Sequence, residues 1–244
     1  MVCGGNEMYV GDLLRSLDRV PTGIPGLDEL IGGGFIPGRV YLVIGPPGSG
    51  KTTFGVQFLV EGAKRGEKGL FISLTDSPEK VTQDMLRYNF GILSHIQSRR
   101  IVFHDMGEAI FGAGRRATWS EVLEDILRII EAEDVGRVVI DSFTSLEYSV
   151  IDPDHRRISV GRFIRKLYGT GVTCLILSEM LASDTYTDEY YLADGVIVLH
   201  HFMRNYRMVR ALQVLKMHGV AHDSNLKKMR FTEDGIRVYP ESPF

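Results

Sequence analysis

Gly45-Pro46-Pro47-Gly48-Ser49-Gly50-Lys51-Thr52 matches the full GxxxxGK[ST] pattern and constrains this chain more than any other segment. Its surroundings have the required form. Val40-Tyr41-Leu42-Val43-Ile44 leads in as a buried strand, and Thr52 to Lys64 leads out as a helix. Glycines reach left-handed backbone conformations, so successive N–H groups can converge on phosphate oxygens. The following helix adds the positive end of its dipole. Lys51 is placed for the β- and γ-phosphates, the Thr52 hydroxyl for Mg²⁺, and Thr53 extends the phosphate-side set. A glycine-rich turn before an ordinary helix is the plainer alternative, and eight matched positions between a strand and a helix weigh against it. The motif implies a nucleoside triphosphate.

With 244 residues, 44% of them hydrophobic, the chain is long enough for one large core. We expect an N-terminal extension over residues 1–20 and a single α/β domain over 21–244. Lys plus Arg number 28 against 31 Asp plus Glu, so no global charge draws the chain to nucleic acid or membrane. Cys3 falls in the extension and Cys174 in an apolar strand, an unpaired arrangement that fits a reducing, cytoplasmic setting. Residues 1–20 carry Glu7, Asp12, Arg15, Asp18 and Arg19, unlike a signal peptide. No apolar run approaches the roughly 18 residues of a membrane helix.

The elements alternate along the chain. Val10 to Leu17 has helical spacing, and Thr22 to Leu30 reads as a turn feeding a brief helix that Gly32-Gly33-Gly34 ends. A second strand, Gly69 to Leu74, ends at Thr75-Asp76. Ser77-Pro78 then has the form of an N-cap with proline at N1, opening a helix to about Tyr88. Strand three is Arg100 to His104, and Thr118-Trp119-Ser120-Glu121 has capping-box spacing ahead of an apolar helical face. Strand four, Arg137 to Ile140, ends at Asp141; a helix from about Asp154 to Tyr168 precedes strand five, Val172 to Leu177. Gly195 to Leu199, Met208 to Met217 and Lys228 to Tyr239 read as strands, with turns near Asn205 and at Asp234-Gly235. This order predicts a doubly wound, mostly parallel sheet with antiparallel strands added at one edge.

Asp141 closes an apolar strand and is followed by Ser142, Phe143 and Thr144. A carboxylate there, on the same sheet edge as the P-loop, is positioned for Mg²⁺ or its water shell. A strand-end aspartate also serves as a simple turn or cap. Hydrolysis needs a further carboxylate to orient or deprotonate water. Asp76 is the candidate, at the end of a strand expected to neighbour the P-loop strand; its structural alternative is a loop acid before the Ser77 cap. Ser178 and Glu179 are placed either to sense the γ-phosphate or merely to end strand five.

These residues together resemble the KaiC-like branch of the RecA-type ATPases. The resemblance rests on TGIPGLDELIGGG from Thr22 to Gly34, the P-loop, VVIDSFTSL from Val138 to Leu146 and LADGVIVL from Leu192 to Leu199. It continues through LKMHGVAHD from Leu215 to Asp223 and FTEDGIRVYP from Phe231 to Pro240. It implies a RecA-like fold, ATP or ADP with Mg²⁺ as ligands, and ring-shaped homo-oligomers, commonly hexamers, with ATP between adjacent subunits. Lys216, His218 and His222 match the family segment that reaches the neighbouring subunit's nucleotide; their alternative is the exposed side of an edge strand.

Two departures accompany the matches. Members of the family typically carry two adjacent glutamates after the second strand, where this chain has Thr75 and Asp76. The family's Lys-Met-Arg-Gly segment reads Lys216-Met217-His218-Gly219, so an imidazole replaces a fixed guanidinium. An arginine finger is worth roughly 10³–10⁵ in rate, and these losses imply slow hydrolysis or an ATP-sensing protein that does not hydrolyse. A DNA-binding accessory role is the alternative from another class. Against it, the loop from Asp184 to Tyr191 carries Asp184, Asp188 and Glu189 and no lysine or arginine, although Tyr186, Tyr190 and Tyr191 offer rings for stacking. Arg115-Arg116 and Arg204, Arg207 and Arg210 read as a solvated loop and hairpin surface, or as basic patches. Self-phosphorylation, which some relatives carry out on adjacent Ser and Thr, would fall on Tyr190 and Tyr191.

Overall fold

Two helices begin where a local side chain satisfies one of their first N–H groups. Thr118 Oγ1 accepts the Glu121 N–H at 3.3 Å while the Glu121 carboxylate accepts the Thr118 N–H at 2.7 Å, a reciprocal capping box. Ser77 Oγ accepts from Lys80 N at 3.3 Å, with Pro78 at N1. The structure is a computed structural model that describes residues 18–112, 118–144, 153–179 and 188–244. The expected helix over Val10 to Leu17, together with Cys3, Arg115-Arg116 and the loop residues Asp184 and Tyr186, lies outside the described residues.

The strands are β1 (Val40–Gly45), β2 (Gly69–Ser73), β3 (Ile101–Asp105), β4 (Arg137–Asp141), β5 (Thr173–Glu179), β6 (Gly195–Arg204), β7 (Arg207–Met217), β8 (Lys227–Thr232) and β9 (Gly235–Val238). The helices are α1 (Leu27–Leu30), α2 (Lys51–Lys64), α3 (Pro78–Met85), α4 (Ile92–Gln97), α5 (Gly107–Phe111), α6 (Trp119–Glu133), α7 (Pro153–Thr170) and α8 (Asp188–Leu192). One sheet runs β3-β2-β4-β5-β1-β6-β7-β8-β9. β1 through β6 pair in parallel, and β7, β8 and β9 extend the β6 edge in antiparallel fashion. The expected sheet with its antiparallel edge is therefore what forms.

Alternation along β1 splits the core. Tyr41 and Val43 face one layer with Phe54 and Phe58 of α2, and Val40, Leu42 and Ile44 face the other with α6 and α7. α2 lies close on β4 and β5 because Gly55 has no side chain: a Cβ there would sit 2.7 Å from Val139 Cγ1 and 3.1 Å from Leu177 Cδ1. Three short helices, α4, α5 and α8, carry too few periodic residues to stand out in the sequence. α3 stops at Met85 rather than near Tyr88, where the Tyr88 N–H turns back to Met85 O at 3.1 Å and Asn89 N donates to Glu233 O at 2.8 Å. β5 runs two residues further than expected, through Ser178 and Glu179, because both pair with the end of β1.

The strand order overturns one expectation. β2 does not neighbour the P-loop strand; it lies between β3 and β4, and the neighbours of β1 are β5 and β6. Sequence proximity suggested adjacency, but the crossovers carry the chain outward before it returns through β5.

Arg137, the first residue of β4, is 0% exposed and ties four segments together. Its Nε and Nη2 donate to Glu67 at 2.7 and 3.1 Å, and Nη1 donates to Pro21 O at 2.8 Å and Phe58 O at 2.9 Å. The guanidinium also sits 4.6 Å over the Phe58 ring. Arg137→Met keeps the stem but strands these acceptors, and should cost about 2–4 kcal/mol of stability. A chemical-denaturation midpoint equal to wild type would refute that role.

Candidate nucleotide-binding site

β1 ends at Gly45, and the loop turns through a Ser49 N–H to Pro46 O bond of 3.2 Å before α2 begins. Gly50, the N-cap of α2, has φ 106°, and a Cβ there would strike Phe231 Cζ at 2.5 Å. Only glycine allows both the conformation and the close approach. Lys51 Nζ lies over the loop, donating to Gly45 O at 2.8 Å and Pro46 O at 3.2 Å. Burial pulls the Lys51 ammonium down from its ordinary range, and the charges of Glu179 and then Asp141 oppose that.

The Thr52 hydroxyl donates to Asp141 Oδ2 at 2.6 Å. Asp141, the last residue of β4, is 9% exposed, and burial raises its pKa to about 6 against the opposing Thr52 bond and Lys51 charge. A hydroxyl and a carboxylate side by side at the end of a phosphate-binding loop form an oxygen donor set that fits Mg²⁺. No cluster of three or more His, Cys, Asp or Glu side chains suited to a metal occurs among the described residues. A metal held here would draw its remaining ligands from phosphate and water, as Mg²⁺ does.

A cavity of about 560 Å³ opens beside the loop, bordered by Gly48, Gly50, Lys51, Thr52, Thr53 and Asp76. Its far wall is Tyr88, Arg210 and Phe231. Sequence reasoning missed this wall. Arg210, read there as hairpin surface, instead places its guanidinium 5.0 Å over the Phe231 ring, and its buried Nε has no hydrogen-bond partner. Arg204, likewise read as solvated, stacks 3.8 Å over Phe244. The signal available was register: β7 pairs along β6, which runs beyond Gly45 and carries Arg210 past the loop.

Asp76 borders the cavity, half-exposed and ion-paired with Lys80. Glu179 pairs in register with Gly45, and its N–H donates to Thr144 Oγ1 at 2.6 Å. Thr144 Oγ1 lies 2.8 Å from Ser178 Oγ, so the ends of β4 and β5 are tied together.

A family model described as "ATPase: KaiC" matches residues 20–243. This chain belongs to the KaiC family of ATPases. It is 32% identical to a UPF0273 protein of Pyrococcus horikoshii over 91% of this chain and 94% of that protein. It is 27% identical to the circadian clock oscillator protein KaiC of Picosynechococcus, covering 93% of this chain and 45% of that longer protein. A crystal structure of a KaiC-like protein from Pyrococcus horikoshii superposes with a TM-score of 0.79 at 30% identity, covering 91% of this chain and 99% of that one. The RecA-like α/β fold and the KaiC-like family expected from the sequence are both found.

The remaining site residues stand at the other edge of the sheet. β7 places Lys216 opposite Val196, and β6 in turn places Val196 beside Leu42, so the chain turns back at His218 near the start of β1. The P-loop leaves the opposite end. All three donors of Lys216 Nζ go to its own chain: Ala193 O at 2.7 Å, Tyr191 O at 3.0 Å and Tyr190 O at 3.2 Å. His218 is half exposed, with its N–H on Asp194 O at 2.7 Å. His222 lies in the β7–β8 connection, its Nδ1 3.3 Å from Val220 O.

The Asp141 shift has a consequence for stability. Its pKa is raised in the fold, so the ionised form is penalised there. The stability this group contributes is full below about pH 4 and lost as pH rises through about 6. The rise from 3.8 to about 6 corresponds to about 3 kcal/mol. Asp141→Asn should therefore raise the nucleotide-free Tm at pH 7.5, with the gain fading toward pH 4; an unchanged or lower Tm at pH 7.5 would contradict the shift.

Proposed function

We propose that this chain is an ATP-binding KaiC-like ATPase of slow turnover that works as a nucleotide-dependent switch in homo-oligomer assembly. The Thr52–Asp141 contact at the end of a complete P-loop carries the reading, because it unites the phosphate and metal ligands at one point. The loop N–H groups and Lys51 bind the triphosphate, and Thr52 and Asp141 hold Mg²⁺, which neutralises phosphate charge when bound. Asp76 and Glu179 are the carboxylates left to act on water. Slow turnover follows from Thr75 and His218, which replace a glutamate and an arginine of the family pattern.

The separation of the two edges supports assembly. Lys216, His218 and His222 are remote from their own loop, so they can complete only a neighbour's site, and a hexameric ring is the family's way of arranging this. With its donors spent on the end of α8, Lys216 acts by holding that edge, while the half-exposed His218 offers the polar contact. A binding energy that appears only in the assembled ring would make ATP a switch for ring closure. A cytoplasmic setting fits the buried free thiol of Cys174 and the finding that no described helix is long and apolar enough to cross a membrane. DNA binding draws no support from Arg204 and Arg210, whose guanidinium groups lie over aromatic rings.

Light scattering after gel filtration, with ATP, with ADP and without nucleotide, tests the switch. The expected result is a larger assembly with ATP that Lys51→Ala does not form. Saturating ATP at 100 times Kd should also stabilise wild type by about 2.7 kcal/mol, with no shift in a folded Lys51→Ala. Equal ATP affinity in that variant would sink the site assignment, and an assembly size indifferent to nucleotide would sink the switch.

A further inference from the structure

Attack of water on a phosphoanhydride is assisted by a carboxylate close to the γ-phosphate, and Lys51 marks where that phosphate lies. Asp76 reaches the site from the far side of β4, because β2 is separated from β1 by both β4 and β5. Its carboxylate is already engaged by Lys80. Glu179 belongs to the strand between the P-loop and Asp141. Gly45 is its register partner on β1, and Ile176 is the partner of Ile140 on β4.

Strand alternation fixes the face on which Glu179 stands. Leu177 and Val139 both pack against Gly55 of α2, so Glu179 and Asp141, two residues further along their strands, share that face with the P-loop helix. The Glu179 backbone is held by Thr144 Oγ1, and Thr144 and Ser178 are buried, yet the Glu179 side chain is open to solvent. Among the carboxylates, Glu179 also exerts the strongest pull on the Lys51 ammonium, ahead of Asp141. A carboxylate whose backbone is held by the Thr144 hydroxyl, level with the start of the loop and on its face, suits water activation.

We propose that Glu179 is the carboxylate that takes the proton of the attacking water, an assignment that rests on the hydrolytic reading above. The water oxygen bonds to the γ-phosphorus as the bond from that phosphorus to the β,γ-bridging oxygen breaks. ADP leaves with the electron pair of that bond. The water proton passes to a Glu179 carboxylate oxygen and from there to solvent once phosphate has departed. This residue would fill the place left by the missing glutamate at Thr75, from a different strand.

The test compares phosphate release and ATP affinity in full-length wild type, Glu179→Gln, Asp76→Asn and Lys51→Ala. Glu179→Gln should bind ATP within twofold of wild type, keep its Tm, and lose about 10²-fold or more in single-turnover rate. Asp76→Asn should cost less than tenfold in the same single-turnover rate. Glu179→Gln turning over at the wild-type rate, or Asp76→Asn suffering the larger loss, would overturn the assignment while leaving hydrolysis intact. A wild-type rate no higher than that of Lys51→Ala would instead overturn hydrolysis itself, and Glu179's role with it.

Discussion

The 2.6 Å hydrogen bond from Thr52 to Asp141 joins the P-loop unit to a strand that is not its neighbour. Adjacent strands lie about 4.8 Å apart, so the ends of β1 and β4 are separated by the whole width of β5. Helix α2 closes the gap. It runs back across β5 and β4 with Gly55 against Leu177 and Val139, and its first turn delivers Thr52 to the end of β4. A Cβ at position 55 would meet Val139 Cγ1 at 2.7 Å and push the helix away from the strand that carries Asp141. The fold therefore reaches the site through packing: a missing methyl group in the core sets a contact at the sheet edge.

Electrostatics at that edge are costly without a ligand. Asp141 is buried with only a hydroxyl as direct partner, Lys51 folds onto backbone carbonyls, and Arg210 leaves a buried Nε unpartnered. Each of these groups would gain from a polyanion with a divalent cation. On the proposed reading, local stability is given up for a nucleotide site, a common pattern where function and folding compete for the same residues. Arg137 shows the contrast. It is equally charged and even more deeply buried, but carboxylate and carbonyl oxygens receive its guanidinium, so it serves the fold.

The two ends of the sheet carry complementary halves of the proposed machinery. The carboxyl end holds the loop, Asp141, Asp76 and Glu179, while the amino end holds Lys216 and His218. Asp194 organises the amino end: it accepts the Val40 N–H at 3.1 Å and the Tyr168 hydroxyl at 2.8 Å, and it lies 3.6 Å from Arg39. A rigid sheet keeps these ends apart within one chain. Contact between them is available only across copies, which is the physical content of the assembly proposal.

Much of the molecule was legible from local signals. The P-loop, the Thr118 capping box, the Ser77-Pro78 start and the turns at Asn205 and Asp234-Gly235 depend on backbone chemistry within a few residues, and each appears where the sequence places it. The role of Asp141 as a strand-end carboxylate was legible for the same reason. The position of Asp76 was not, because strand order is decided by how crossovers pack and no residue near Asp76 records it. Arg210 looked like hairpin surface until register carried it past the loop, and Lys216 looked like the exposed side of an edge strand until the end of α8 brought three carbonyls to its ammonium. The sequence by itself determined which residues form the phosphate-loop pattern, since that pattern resides in glycine conformations and helix ends. Only the tertiary structure decided which carboxylates stand near that loop, since side chains distant in sequence meet only once the sheet has chosen its order.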